Sequence, residues 1–183
     1  VFGIPLAYLS CRRQTWGSLL CIQGAYTGYV LPGPVAALSV LILISYTLPE
    51  WHGTVLVLLI AYLVHFLPVA LQGMESTLQT LTPNVEEAAR SLGSSSIRTF
   101  FKVTLPLVRG GFFSAWIFVF IQCMKELPST LLLRPVGFDT LAVRIWLDSS
   151  EEFYQLAAPP ALLIIIITIP IVLLLMQKGQ QVT

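Results

Sequence analysis

Charge is scarce in this sequence. Lysine, arginine, aspartate and glutamate make up only 10% of the 183 residues against 56% hydrophobic ones, and mean hydropathy is +0.82. That balance excludes a water-soluble globule, in which about 25% of residues are charged. The chain reads as an integral membrane protein. Histidine is limited to His52 and His65, and cysteine to Cys11, Cys21 and Cys123. No CxxC pair or Cys/His spacing connects them, so the cysteines read as small buried hydrophobes and no metal site is implied. The GxxxxGK[ST] phosphate loop, HExxH and GxSxG are missing too. Neither ATP hydrolysis nor familiar hydrolase chemistry can be assigned to this chain. No internal repeat is evident.

What is present is a set of long apolar stretches. A membrane-crossing helix needs about 20 mostly apolar residues, and 55–71, 107–124 and 156–176 meet or approach that length. The stretch 14–49 lacks any Asp, Glu, Lys or Arg, yet is too long for one upright span and short for two. Pro32-Gly33-Pro34 breaks it. Pro34 suits the first turn of a new helix, while the backbone around Pro32 loses hydrogen bonds that protein or water must replace. The pattern predicts a lead-in helix over 16–31, then a broken or kinked span ending near Leu48. Residues 1–9 are apolar up to the basic pair Arg12-Arg13, but nine helical residues rise only about 13 Å. With neither an initiator Met nor a basic signal-peptide n-region, the sequence is expected to begin within a helix, as a truncated N-terminal span of something longer.

The few charges orient these spans. If 14–49 crosses once, one side carries Arg12, Arg13, Arg90, Arg98, Lys102, Arg109 and Lys178 against Glu75, Glu86 and Glu87. The other side carries Lys125, Arg134 and Arg144 against six acids: Glu50, Glu126, Asp139, Asp148, Glu151 and Glu152. Basic residues concentrate on cytoplasmic loops, so residues 84–106 are expected in the cytoplasm and 125–152 largely outside.

The polar loop at 82–106 reads as two short helices set at an angle. Two starts are open: Pro83 in a first turn after Thr82, or Asn84 as cap with Glu87 three residues on. Either puts Glu86 and Glu87 at the positive end of the helix dipole. Glu86 and Arg90 are spaced i, i+4, as on a short solvated helix. Gly93 suits the left-handed residue that ends it. Serines 94–96 can cap a second helix over 97–103, which Leu105-Pro106 is expected to terminate. Ala88 and Ala89 lack bulk, so the first helix can lie close in a groove of another protein. An amphipathic helix on lipid headgroups, using Arg90, Arg98, Lys102, Phe100 and Phe101, is the plainer alternative.

The run Glu87-Ala88-Ala89 with Gly93, then Val103-Thr104-Leu105-Pro106, resembles the Glu-Ala-Ala coupling loop of permease subunits of binding-protein-dependent ABC importers. Val103 stands where that family usually has Ile. The segments Glu126-Leu127-Pro128-Ser129-Thr130-Leu131-Leu132-Leu133-Arg134-Pro135 and Gly137-Phe138-Asp139-Thr140-Leu141-Ala142-Val143-Arg144-Ile145-Trp146 are similar to ferric-iron importer permeases. The likeness runs over the whole chain, to the C-terminal half of such permeases.

It implies an all-α, type I importer-like helical bundle of about four spans plus the truncated first one, forming a single permease domain over 1–183. It implies a bacterial inner-membrane location, and coupling through Glu86, Glu87, Ala88, Ala89, Arg90, Gly93, Leu105 and Pro106. The implied partners are an ABC ATPase subunit, an extracytoplasmic substrate-binding protein and a second permease half, within the bilayer and with no nucleic acid. ATP would be used by the partner and no cofactor held by this chain. Ferric iron is the implied substrate; thiamine, sulfate, molybdate and polyamine permeases share the architecture.

Residue chemistry adds a second candidate region. Lys125 and Glu126 fall near the extracytoplasmic end of the span that begins at Leu107, where charges usually face a bundle interior or water. Gln122, Lys125, Glu126 and Thr130 are candidate pathway residues, against the alternatives of a locally neutralised Lys125–Glu126 pair or snorkelling. Pro128 and Pro135-Val136-Gly137 predict irregular backbone, including a short re-entrant element. His65, within a span, reads as an interhelical hydrogen-bond partner, and His52 beside Trp51 as interfacial. Most acids fall in loops, which disfavours a secondary transporter with coupling carboxylates deep in its spans. A scaffold would account for the spans but not for the coupling pattern.

The topology is checked by single cysteines in a functional variant lacking Cys11, Cys21 and Cys123. Sites 91 and 149 should label from opposite faces of the membrane; labelling from the same face would refute the assigned orientation.

Overall fold

A computed structural model of the chain describes residues 3–12 and 16–180, without the side chains of residues 5, 9, 12, 18, 29 and 178–180. Arg13 and the side chains of Arg12 and Lys178, which entered the charge count, therefore lie outside the described part. The described residues are helical, with no strand among them. Their helices are α1 (Gly3–Arg12), α2 (Trp16–Val30), α3 (Gly33–Thr47), α4 (Val55–Gln79), α5 (Pro83–Ser91), α6 (Ser96–Thr99), α7 (Leu105–Lys125), α8 (Pro128–Leu133), α9 (Leu141–Ser150) and α10 (Tyr154–Gln180). A 3₁₀ turn at Pro49–Trp51 precedes α4, and a π turn at Phe100–Thr104 joins α6 to α7.

Three helical runs among the described residues are long and apolar enough to cross a membrane: Val55–Gln79, Ser96–Lys125 and Tyr154–Gln177. A fourth span results if Leu19–Gly28 and Gly33–Thr47 count as one broken crossing. The expected break at Pro32-Gly33-Pro34 is there. Pro34 sits in the first turn of α3, and the carbonyl of Pro32 accepts from the N–H groups of Val35 and Ala36 at 2.9 and 3.1 Å.

The expected stop at Leu105-Pro106 is not. The helix runs from Ser96 to Lys125 without ending. The π turn is the reason: the Leu105 N–H bonds to the Phe100 carbonyl, five residues back. An α-helix would set the Pro106 ring against the carbonyl four residues earlier, and the wider π turn relieves that clash.

The chain forms two compact units, Val1–Tyr26 with Leu67–Phe118, and Thr27–Phe66 with Val119–Thr183. In the first, Ala7 of α1 packs with Leu71, Met74 and Leu78 of α4 and Val108, Phe112 and Ala115 of α7. Two small-residue contacts bring α4 and α7 together. A Cβ on Gly73 would come within 2.7 Å of Ala115 Cβ, and one on Gly111 within 2.2 Å of Thr77 Oγ1. Gly73 and Thr77, and Gly111 and Ala115, are each four residues apart and so share a helix face. Lipid tails are as apolar as leucine, so such close approach is how membrane helices associate. Sequence reading missed this pairing.

In the second unit, α3 turns Ala37, Val40 and Ile44 toward Val57, Leu58 and Ala61 of α4 and Leu133 of α8. Gly28 lies where a Cβ would sit 2.4 Å from the Val64 carbonyl oxygen. Pro68, four residues on, has no N–H to offer that carbonyl. The α10 helix packs along α9, and the most apolar 18-residue window of its span buries none of its residues. The cysteines form no disulfide; Cys11 and Cys123 are half-buried and Cys21 exposed, which corrects the expectation that all three are buried.

Gly110 and Gly111 allow a controlled test, because nothing lies within 4 Å of a Cβ built on Gly110. Gly111→Ala should destabilise the protein by about 1–3 kcal/mol through overpacking. Gly110→Ala should be neutral or stabilising by up to about 1 kcal/mol. Unfolding midpoints in detergent measure both.

Candidate functional site

The 82–106 loop is built around a buried acid. Pro83 opens α5 after Thr82, whose side chain makes no capping bond, so of the two open starts the proline one is realised. Glu86 then falls in the first turn, where the helix dipole favours a carboxylate; Glu87 lies outside it and is exposed. Glu86 is only 2% exposed, contrary to the solvated helix face its spacing to Arg90 suggests. Its Oε1 accepts from the Thr104 hydroxyl at 3.0 Å, and its Oε2 from the Tyr8 hydroxyl at 3.2 Å. Arg90 reaches Oε2 at 3.5 Å from a half-exposed position. A buried carboxylate is tolerable only when donors surround it. Thr104 is 18 residues away and Tyr8 is 78, so no local spacing could have disclosed these partners.

The other end of α5 closes on Gly93, at φ +85°. The Ser94 N–H bonds to the Ala89 carbonyl at 3.2 Å and the Gly93 N–H to the Arg90 carbonyl at 2.9 Å. This is the paired bonding of a left-handed helix stop, which satisfies carbonyls the helix leaves open. No atom lies within 4 Å of a Cβ built on Gly93, so its requirement is conformational rather than steric. Ser95 caps α6 by accepting from the Arg98 N–H at 3.4 Å.

With Glu86 turned inward, α5 turns an apolar stripe outward. Val85, Ala88 and Leu92 are exposed at i, i+3 and i+7, and Leu92 is 89% accessible. Ile97 and Phe101 extend the exposed apolar surface. Ala89 is half-buried, Pro106 is exposed and Leu105 packs at the edge of the first unit's core. The loop thus offers a narrow, low-relief helix surface held rigidly from behind.

The second candidate region lies in the other unit, around Glu126. Glu126 Oε1 accepts from the Ser129 N–H at 3.0 Å and its hydroxyl at 2.7 Å, holding the start of α8. A Cβ on Gly33 would lie 3.2 Å from that oxygen, so glycine is what lets α3 begin beside the carboxylate. Thr130, fully buried, donates to the Glu126 carbonyl at 2.8 Å and contacts the Tyr62 hydroxyl. Gln122 is half-buried and Lys125 exposed. Lys125 and Glu126 make no direct ion pair, so no contact supports the neutralised-pair alternative. The short α8 and the turn at Gly137, φ +81°, occupy the segment where irregular backbone was expected.

His65 does not act as an interhelical hydrogen-bond partner. Its Nδ1 is buried without one, and its ring instead packs edge-on to Phe66 at 5.0 Å. His52 is exposed in the turn before α4. Among the described residues no group of three or more His, Cys, Asp or Glu side chains is placed to hold a metal ion.

Apolar helices long enough to span a membrane, with an anchored polar loop between two of them, describe a membrane-embedded protein. The chain belongs to the family of binding-protein-dependent transport system inner membrane components, whose pattern matches residues 1–177. It is 31% identical over 155 residues to an Fe(3+)-transport system permease protein of Haemophilus influenzae, an alignment covering 85% of this chain and 31% of that one. A ferric transport system permease protein of Actinobacillus pleuropneumoniae is 24% identical over 133 residues, covering 73% of this chain and 19% of its own length. A molybdate/tungstate transport system permease protein of Pyrococcus abyssi is 25% identical over 133 residues, or 73% and 52% of the two chains. The chain therefore spans less than a third of the length of the two ferric relatives.

Glu86→Ala should loosen the loop by removing the acceptor of the buried Thr104 hydroxyl, at about 1–3 kcal/mol, and the hydrogen bond from the half-buried Tyr8. Limited proteolysis of the solubilised protein should then cut faster within 83–104 than elsewhere. Equal cutting in variant and parent would refute the anchoring role.

Proposed function

We propose that this chain is a membrane-crossing permease component of an ATP-driven importer. It passes substrate received from an extracytoplasmic binding protein, and a separate ATPase drives it through the 82–106 loop. One observation carries the reading: α5 is fixed from behind by Glu86 and closed by Gly93, while its opposite face leaves Val85, Ala88 and Leu92 uncovered. A small-residue helix face on a rigid mount can seat in a groove of a partner and take up that partner's motion. Glu86 and Gly93 hold the helix; Glu87, Ala88, Leu92 and Arg90 meet the partner. Family membership supports a cytoplasmic ATPase and a binding protein as the partners, and an inner-membrane location.

Ferric iron is the proposed substrate, supported by the Haemophilus and Actinobacillus relatives. The molybdate/tungstate relative supports an oxyanion as the second reading. The pathway residues are Glu126 with Gln122, Lys125 and Thr130, and a carboxylate at Glu126 favours a cation or cation-accompanied cargo over an oxyanion, because negative charge attracts cations and repels anions.

Reconstitution of the full transporter into vesicles tests this. Uptake of ferric iron should require ATP, the ATPase and the binding protein. Gly93→Val and Glu87→Lys should each lower uptake and stimulated ATP hydrolysis at least several-fold with the protein still in the membrane, since valine resists a left-handed φ. Leu92→Asp should release the ATPase. Glu126→Gln should lower transport more than assembly, and adding a neutral Lys125 should not restore it. Normal coupling in both loop variants would sink the assignment; uptake of molybdate instead of iron would select the second reading.

A further inference from the structure

Two acids in the first unit take hydrogen bonds from the same short helix. Tyr8 of α1 donates to Glu86 Oε2 on α5 at 3.2 Å. Two residues on, Ser10 donates to Glu75 Oε1 on α4 at 2.5 Å. Tyr26 of α2 donates to Glu75 Oε2 at 2.8 Å, so both oxygens of Glu75 are engaged. The Cys11 thiol adds a weak bond to the Glu75 backbone carbonyl at 3.9 Å. Apolar packing stiffens the same helix: Ala7 is fully buried against α4 and α7, and the Tyr8 ring meets Phe100 edge-on at 5.0 Å.

We infer that α1 is a transmission strut, with Tyr8, Ser10 and Tyr26 as positioning residues that tie the α5 loop to α4 and α2. The inference rests on the reading of the 82–106 loop as the ATPase seat. Hydrogen bonds to a carboxylate are directional and stronger than neutral ones, so they hold register where apolar contacts would slide. Glu75 is otherwise an expensive residue near the end of a spanning helix, where an acid without such partners would be selected against on energy alone. Glu86 moves with α5; Tyr8 follows Glu86; Ser10, on the next half-turn of α1, carries that movement to Glu75. Chains of packed side chains and hydrogen bonds can carry coupling between sites, and α1 supplies such a chain between α5 and α4.

Amide hydrogen exchange on the complete transporter in lipid nanodiscs, with and without ATP plus vanadate, tests the strut directly. The parent complex should change its exchange over both 83–93 and 72–79 when nucleotide is trapped. Tyr8→Phe keeps the ring contact with Phe100 and removes only the donor. It should retain the nucleotide response over 83–93 and lose it over 72–79, whereas a merely structural role would raise exchange in both segments regardless of nucleotide. Ser10→Ala should give the same split and serves if Tyr8→Phe does not assemble. A response at 72–79 that survives in both variants, or is missing from the parent while 83–93 responds, overturns the strut. No parent response over 83–93 would instead overturn the ATPase-seat reading, and the strut with it.

Discussion

The loop between α4 and α7 depends on one buried carboxylate. Taking an ionised acid out of water costs several kcal/mol even after relaxation, and only well-placed donors offset it. Glu86 has its donors from three different helical elements: Tyr8 on α1, Arg90 one turn along α5, and Thr104 on the π turn. Because those donors cannot all be reached from any other orientation, the acid dictates which side of α5 faces inward. The exposed stripe of Val85, Ala88 and Leu92 follows as the remainder.

Helix pairing obeys a different constraint. Where lipid is the solvent, burial of leucine against leucine gains little, and contact distance decides. Gly73 against Ala115 and Gly111 against Thr77 set that distance for α4 and α7, and the Thr77 hydroxyl is already satisfied by the Gly73 carbonyl at 2.9 Å. The α10 helix shows the opposite design. It is apolar along most of its length, exposes most of its described side chains away from α9 and carries three prolines.

Spans were legible because length and hydropathy report the solvent directly: 55–71, 107–124 and 156–176 fall within α4, α7 and α10. The break at Pro32, the stop at Gly93 and the cap at Ser95 were legible because each is a local backbone rule. Partners distant in sequence were not. Nothing near Glu86 announces Tyr8 or Thr104, so a spacing that fits a solvated helix belonged to a buried one. Pro106 misled for a related reason, since a proline rule presumes α geometry and the π turn suspends it. At Glu126 the sequence identified the residue but not its neighbours Ser129 and Gly33, which come from 3 and 93 positions away along the chain.

The π turn also fixes an angular phase. A π turn accommodates one residue more than the α-helix it interrupts, and each α-helical residue advances the helix by about 100°. Phe100–Thr104 therefore works like a keyed joint, in which the number of residues sets the direction that everything before it faces. Losing one residue there would leave hydropathy, composition and span length nearly untouched. It would nevertheless turn the preceding segment by roughly a quarter of a revolution, carrying Thr104 off the bearing on which Glu86 meets it. Insertions and deletions within these five residues should thus be far less interchangeable than substitutions.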